Sequence, residues 1–304
     1  MPEGDTVRRT AVRLHQALAG RELTRAELRW PTLATVDLTG SLVVESVAYG
    51  KHLLTRLRRG GEALTLHSHL RMEGSWRVHA TGSRTWPAAS DHTVRAVLAN
   101  ADWTAVGLRL GELDLVATAD EHTLIGHLGP DILAPDFADP AAERGVAEAL
   151  HRIAAHPDEP IAAALLDQRN LAGVGTFYAC EALFAAGLSP WTPVRDVADV
   201  GRIVDRARRM LAANLDRAVP TTTGDTRNGN QSWVHSRSGR PCRRCGTTVR
   251  VAGVEVHHRS PGQTAGLERV LFYCPRCQPG PTPTDGGRPQ APLGAGRRPA
   301  GGYR

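Results

Sequence analysis

The sequence predicts an α+β, multidomain fold, and three observations carry that prediction. Short alternating strand-like runs fill residues 22–118, helical periodicity dominates residues 141–218, and two C-x2-C pairs follow. The N-terminal part should be antiparallel β with a leading helix. The C-terminal part should be helical and end in a cysteine-built hairpin.

The leading helix is expected from Asp5 to Gly20. Val7, Ala11, Leu14 and Leu18 recur at helical spacing, with Asp5 as the start signal and Gly20 as the stop. The runs SLVVESVAYG, HLLTRLRR, EALTLHSHL, SWRVHA, TVRAVLAN and TAVGLRL then read as strands of a sandwich or barrel. The segment LGPDILAPDFADP, residues 128–140, is rich in Pro and Asp and reads as an interdomain linker. Helices are expected near 141–156, 159–168, 177–187 and 198–218, with Pro160 in the first turn of its helix. The last stretch, residues 279–304, is a low-complexity Pro/Gly/Arg tail expected to be disordered.

Composition narrows the class. No run of 18 apolar residues exists, so no membrane helix is expected, and the N-terminus lacks the apolar core of a secretory signal. A soluble, cytoplasmic protein follows as the expectation; it is further expected to be bacterial and monomeric. The formal net charge of +6 hides an asymmetry: residues 1–199 balance at −6 and residues 200–304 at +12. A basic C-terminal part points to a polyanion such as nucleic acid.

Four of the five cysteines form C-x2-C pairs, Cys242 with Cys245 and Cys274 with Cys277. In a chain without a secretory signal this spacing reads as one tetrahedral structural zinc ion, Zn2+, closing a β-hairpin. Four cysteine ligands leave no open position, so that metal would not be the catalyst. His257 and His258 are weaker substitute ligands, because adjacent residues of a strand point to opposite sides. The fifth, Cys180, lies in an apolar helical stretch and reads as a buried thiol.

Three further stretches carry chemistry. DQRNLAGVGTFY places a Gly-bearing turn between two helices, so the N–H groups of Gly173 to Thr176 could hold a phosphate. At the N-terminus, loss of the initiator Met would leave Pro2 as a secondary amine beside the Glu3 carboxylate. The helix that follows disfavours a protonated amine at its positive end, which makes the Pro2 nitrogen available as a nucleophile. Lys51, in VAYGKHLLTR, is the only lysine, and the other 36 basic side chains are arginine. A compact ammonium and a planar guanidinium are not interchangeable, so this position reads as chemically constrained.

The motifs MPEGD, GKHLL, HLRMEGSW, LGPDIL, LLDQRNLAGVGTFYACEALFAAGLSP and PCRRCG…ERVLFYCPRCQ occur in this order. Together they resemble the formamidopyrimidine-DNA glycosylase and endonuclease VIII family. The MPEG start is more similar to the endonuclease VIII branch. The resemblance implies a β-sandwich, residues 1–127, a linker, 128–140, and a helix–two-turn–helix domain, 141–230. A zinc hairpin, 231–278, would precede the tail, with DNA in the cleft between the domains. It implies a bifunctional DNA glycosylase and AP lyase acting on oxidised bases, pyrimidines first, in damaged double-stranded DNA, with single-stranded DNA left open. An oxidised-purine glycosylase and a non-catalytic DNA-binding relative are the alternatives. Pro2 would attack C1′, Glu3 assist proton transfer at the sugar, and Lys51 contact phosphate beside the lesion. Arg269 matches the arginine at the tip of the zinc hairpin that binds flanking phosphates. Met72 matches a residue that fills the gap left by the flipped base, and Arg109 is the candidate for the orphaned base. Asn170, Gly173, Gly175 and Thr176 belong to the phosphate-binding loop. The chain departs from the family where Thr176 stands for an Asn, where Leu110 stands for an aromatic residue, and in a longer segment between the cysteine pairs.

Overall fold

The computed structural model describes residues 2–83, 91–256 and 267–283. They form two compact units. The first contains Met1–Arg152, Gln168–Val174 and Leu211–Asp216; the second contains Ile153–Asp167, Gly175–Met210 and the described residues from Arg217 onward.

The first unit opens with α1 (Gly4–Leu18), which buries Val7, Ala11, Leu14 and Leu18 along one face. The helix begins one residue earlier than expected. Glu3 holds the N-cap position, while Asp5 is buried in the first turn and so is not the cap. At the far end Ala19 is the C-cap, and Gly20, at φ 74°, donates its N–H to Val43 O. Eight strands follow: β1 (Arg25–Leu28), β2 (Leu42–Tyr49), β3 (His52–Arg59), β4 (Glu62–His69), β5 (Ser75–Ala80), β6 (Val94–Ala99), β7 (Trp103–Leu108) and β8 (Glu112–Ala117).

They make two antiparallel four-stranded sheets, ordered β1-β6-β7-β5 and β2-β3-β4-β8. Leu28, Trp76, Leu98 and Ala105 from one sheet and Leu53, Leu57, Leu66 and Leu113 from the other share one core with Leu14 and Leu18 of α1. Of the sandwich and barrel expected from the strand runs, the sandwich forms. The sequence runs did not single out β1 and β8. β1 has only four residues and no β-branched side chain, and β8 follows the last turn signal.

The segment expected as a linker is folded. Leu128, Ile132 and Phe137 are buried, Arg144 Nη2 donates to Leu128 O at 2.5 Å, and Tyr49 Oη donates to Gly129 O at 2.8 Å. Pro and Asp serve here as turn formers inside a packed segment. The short helix α2 (His122–Ile125) precedes it and α3 (Val146–Ala154) follows it.

The second unit contains α4 (Ile161–Leu166), α5 (Thr176–Ala186), most of α6 (Val200–Ala212) and a hairpin of β9 (Arg250–Val256) and β10 (Leu267–Tyr273). Pro160 takes the N-cap of α4 instead of its first turn. Every residue of α4 is buried, and α5 packs on both α4 and β10. Gly187, at φ 70°, ends α5: its N–H and that of Leu188 bond back to Phe184 O and Leu183 O, a left-handed cap. Cys180 is buried as expected, and Phe272 N–H donates to its Sγ at 3.3 Å. No described helix is long and apolar enough to cross a membrane.

Candidate functional site

Gly50 and Lys51 form the two-residue turn between β2 and β3. Gly50 adopts φ 57°, and a Cβ there would lie 2.8 Å from Ala172 Cβ and 3.1 Å from Gly173 N. Only a glycine lets the turn sit this close to the loop Gln168–Val174. The start of α1 reaches the same loop, because Gly4 N–H donates to Gly173 O at 3.0 Å. Lys51 Nζ donates to Val174 O at 2.7 Å. Pro2 and Glu3 immediately precede Gly4, so the first residues of the chain and the single lysine are held by consecutive carbonyls of one loop. Glu3 is buried at 3 % exposure, at the positive end of a 15-residue helix that favours its carboxylate.

Two side chains that the sequence reading did not single out hold this arrangement. Gln168 clamps its own loop: Oε1 accepts Gly173 N–H at 3.0 Å and Nε2 donates to Val174 O at 2.9 Å. Asp131 is buried and its carboxylate accepts the N–H groups of Leu133 and Gly50. Burial raises the Asp131 pKa above the ordinary carboxylate range, and those two N–H groups and Arg8 pull it back. A backbone bridge between Asp131 and Ala172 completes the contact. The motif LGPDIL is the available signal for Asp131; Gln168 lies in DQRNLAGVGTFY, where the glycines are the dominant signal.

The turns after β4 and β7 meet at another edge of the sandwich. Arg71 and Arg109 both adopt positive φ, 52° and 46°. The turns are close enough that a Cβ on Gly74 would lie 3.0 Å from Arg109 O, and one on Gly111 would overlap the Arg71 side chain. Met72 is 64 % exposed at this edge, which removes its reading as core. Arg109 is exposed and pairs with Glu73 at 3.4 Å. Leu110 is buried in the sandwich core, so it does not share this surface.

In the second unit the four cysteine sulfurs lie within 4.8 Å of one another. Cys242 Sγ is 3.9 Å from Cys277 Sγ, and Cys245 Sγ is 3.5 Å from Cys274 Sγ. Tetrahedral zinc with Zn–S bonds near 2.3 Å needs sulfurs about 3.8 Å apart, so the donor set fits that ion. Each knuckle is braced by its own backbone. Arg244 N–H points at Cys242 Sγ, and Cys277 N–H points at Cys274 Sγ. Gln278, behind the second pair, accepts Cys274 N–H and donates to Leu188 O, both at 2.9 Å.

The chain's comparisons with known proteins agree. The model of the formamidopyrimidine-DNA glycosylase N-terminal domain matches residues 1–113, and that of its H2TH domain matches residues 133–227. The probable endonuclease 8 2 of Streptomyces coelicolor is 50% identical over 290 residues, covering 95% of this chain and 98% of that protein. The chain belongs to the formamidopyrimidine-DNA glycosylase family. Within the family it lies nearer the endonuclease 8 members. The DNA-(apurinic or apyrimidinic site) lyase Nei2 of Mycolicibacterium smegmatis is 45% identical over 278 residues, 91% of this chain and 99% of that protein. The formamidopyrimidine-DNA glycosylase of Paracoccus denitrificans is 33% identical over 308 residues, 91% of this chain and 99% of that protein. The fold matches the Lactococcus lactis Fpg solved with abasic-site DNA, at a TM-score of 0.69 and 21% identity over 92% of this chain and all of that one.

Against the family pattern, the loop residues divide. Gly173, at φ 105°, spends its N–H on Gln168, so that group is not a phosphate donor. Asn170 is 5 % exposed, which removes it from the surface. Gly175 is the N-cap of α5 and Thr176, half-buried, is its first residue, so these two occupy the positive end of an 11-residue helix. Arg269 does not mark the hairpin tip. It lies in β10, half-buried and paired in register with Val254, because the hairpin ladder extends past it on both sides. His257 and His258 lie outside the described residues.

Proposed function

We propose that the chain is a bifunctional DNA glycosylase and AP lyase that removes oxidised bases, pyrimidines first, from damaged double-stranded DNA and cuts the strand by β,δ-elimination. The observation that carries the reading is the anchoring of the start of α1 and of Lys51 to the neighbouring carbonyls of Gly173 and Val174. Pro2 and the buried Glu3 directly precede Gly4, and an amine, a carboxylate and an ammonium are the set that covalent chemistry at a sugar carbon requires, which supports the reading. The relatives named endonuclease 8 and DNA-(apurinic or apyrimidinic site) lyase, at 45–50% identity, support the lyase reading and the endonuclease 8 branch. The relatives named formamidopyrimidine-DNA glycosylase stand at 31–34%.

With the initiator Met removed, the Pro2 nitrogen attacks C1′ of the flipped nucleotide and the C1′–base bond breaks. Glu3 handles the proton at the sugar oxygen as the ring opens, leaving an iminium on Pro2. That cation acidifies the C2′ hydrogens. Loss of one expels the 3′ phosphate, and a second elimination expels the 5′ phosphate. Lys51 donates to Val174 O, and its charge serves a phosphate beside the lesion. Met72 fills the space the base leaves and Arg109 faces the unpaired partner base. Gly175 and Thr176 offer the α5 N-terminus to the backbone, and Arg269 adds a phosphate contact. Cys242, Cys245, Cys274 and Cys277 would hold one structural zinc that keeps the hairpin carrying Arg269 folded.

A panel of duplexes tests this, carrying an abasic site, an oxidised pyrimidine or an oxidised purine. Cleavage fastest at the abasic and pyrimidine sites, with phosphate left on both ends of the gap, is expected. Faster cleavage of the purine duplex would move the chain to the other branch. Binding without any strand cleavage would leave only a DNA-binding relative.

A further inference from the structure

The face of the β2-β3-β4-β8 sheet opposite its core leucines gathers three histidines and two carboxylates. The ladder fixes their places: His52 lies opposite His69, His69 opposite Glu112, and His67 opposite Asp114. His52 Nδ1 and His67 Nε2 approach to 2.9 Å, and one ligand atom from each of His52, His67 and Glu112 lies within 4.8 Å of the others. The function proposed above uses none of these side chains.

The hydrogen bonds around them decide which nitrogens have lone pairs to offer. His67 Nδ1 stands 3.0 Å from Asp114 Oδ2, and a carboxylate only accepts, so Nδ1 carries the proton. In the neutral tautomer this leaves Nε2 as a lone pair aimed at His52. A histidine oriented by a carboxylate behind it is the arrangement that supports metal ligands. His69 differs. Its Nδ1 accepts Arg71 N–H at 3.0 Å, so its proton is on Nε2, and its ring stands edge-on to His52 at 4.8 Å. It serves as a wall instead of a ligand. Burial holds His52 neutral, well below its ordinary pKa, as a ligating imidazole must be.

We propose that His52, His67 and Glu112 form a second metal site, distinct from the cysteine cluster, for a borderline divalent transition ion such as Zn2+, Co2+ or Ni2+. Two imidazole nitrogens and one carboxylate oxygen select such ions over Mg2+ or Ca2+, which prefer all-oxygen sets. Two nitrogens at about 2.1 Å from one ion and at right angles would stand about 3.0 Å apart, close to the separation seen here. The ion takes the place of the proton that His52 Nδ1 holds between the two rings, and that proton moves to His52 Nε2, so no net proton is released there. Arg71, exposed and paired with Glu112, is the cation that must yield. Loading would pin the strand that begins one residue after Lys51.

Cobalt titration of the full chain, purified with its cysteine site loaded and then dialysed, tests the proposal. One further equivalent of Co2+ is expected, with d–d absorption but no thiolate charge-transfer band, and displaced by Zn2+. That equivalent should vanish in His52→Gln and His67→Gln and bind at least tenfold more weakly in Glu112→Gln, a change at a half-buried carboxylate that the fold tolerates. Circular dichroism and the retained cysteine-site metal report folding of each variant. Uptake of no further Co2+ by the wild type, or uptake unchanged in every folded variant, overturns the site.

Discussion

Lys51 Nζ and the carbonyl oxygen of Val174 are joined by a 2.7 Å hydrogen bond across 123 residues of sequence. The carbonyl one residue earlier binds Gly4. The loop Gln168–Val174 is thus a template on which the β2–β3 turn and the start of α1 are both registered. Exchange of the ammonium for a guanidinium at this point changes donor geometry without removing charge. Lys51→Arg should fold normally and cleave damaged DNA on the order of 10²-fold more slowly or worse, as expected for loss of a positioned electrostatic donor. Single-turnover cleavage beside a thermal melt measures both. A rate near wild type sinks the role given to Lys51.

The template depends on Gly50. Gly50→Ala forces a side chain into φ 57° and to 2.8 Å from Ala172. It should cost roughly 1–3 kcal/mol of stability, as strained backbone positions do. Activity should fall further than stability, because the turn cannot move without carrying Lys51. Thermal denaturation and cleavage rates on the same samples separate the two effects.

Part of this was legible in the sequence and part was not. Periodicity marked α1 and six of the eight sandwich strands, since one buried face repeats at 3.6 or at 2. Cysteine spacing marked the four-sulfur cluster, because two knuckles are local. Asp131 and Gln168 were hidden for a common reason: each acts on backbone groups that are distant in sequence or inside a turn. Composition at Leu128–Pro140 describes turn formers, and only the tertiary contacts of Asp131 with Gly50 make that segment structural. Arg269 was misplaced because a count back from Cys274 says nothing about how far the ladder continues.

Glu181 is another carboxylate that sequence reading passed over. It is fully buried in α5 and accepts hydrogen bonds from Thr222 Oγ1 and from the backbone N–H groups of Trp233, Val234 and His235. It therefore gathers the segment that leads into the cysteine hairpin. Glu181→Ala should destabilise by about 3 kcal/mol or more, since several buried donors lose one acceptor. Limited proteolysis should then cut between residues 221 and 235 first.

His235 gives the fold a pH dependence of known sign. Burial lowers its pKa from 6.5 to about 4, and Phe177 and Phe272 stand against its ring. Between pH 6.5 and about 4 the unfolded chain binds a proton that the folded chain does not, so stability falls as the pH falls through that window. Denaturant melts should show His235→Phe with a shallower slope there, by up to about 1.4 kcal/mol per pH unit.

Removal of metal should act on the hairpin before the sandwich. Cys245→Ser, or chelation, should lower DNA affinity and protection of β9 and β10 while leaving the melting of the β-sandwich intact, because the cysteine donors lie in the second unit. Hydrogen exchange resolved by peptide reads both parts; equal loss of protection in the sandwich would contradict a local structural role.

The central claim is a covalent bond between the first residue after Met1 and deoxyribose. Borohydride reduction of the protein on an abasic-site duplex, followed by peptide mass mapping, measures it directly. A stable adduct on the Pro2 nitrogen is the result expected. An adduct on Lys51, or strand cleavage by protein that retains Met1 and traps nothing at its N-terminus, would contradict the account.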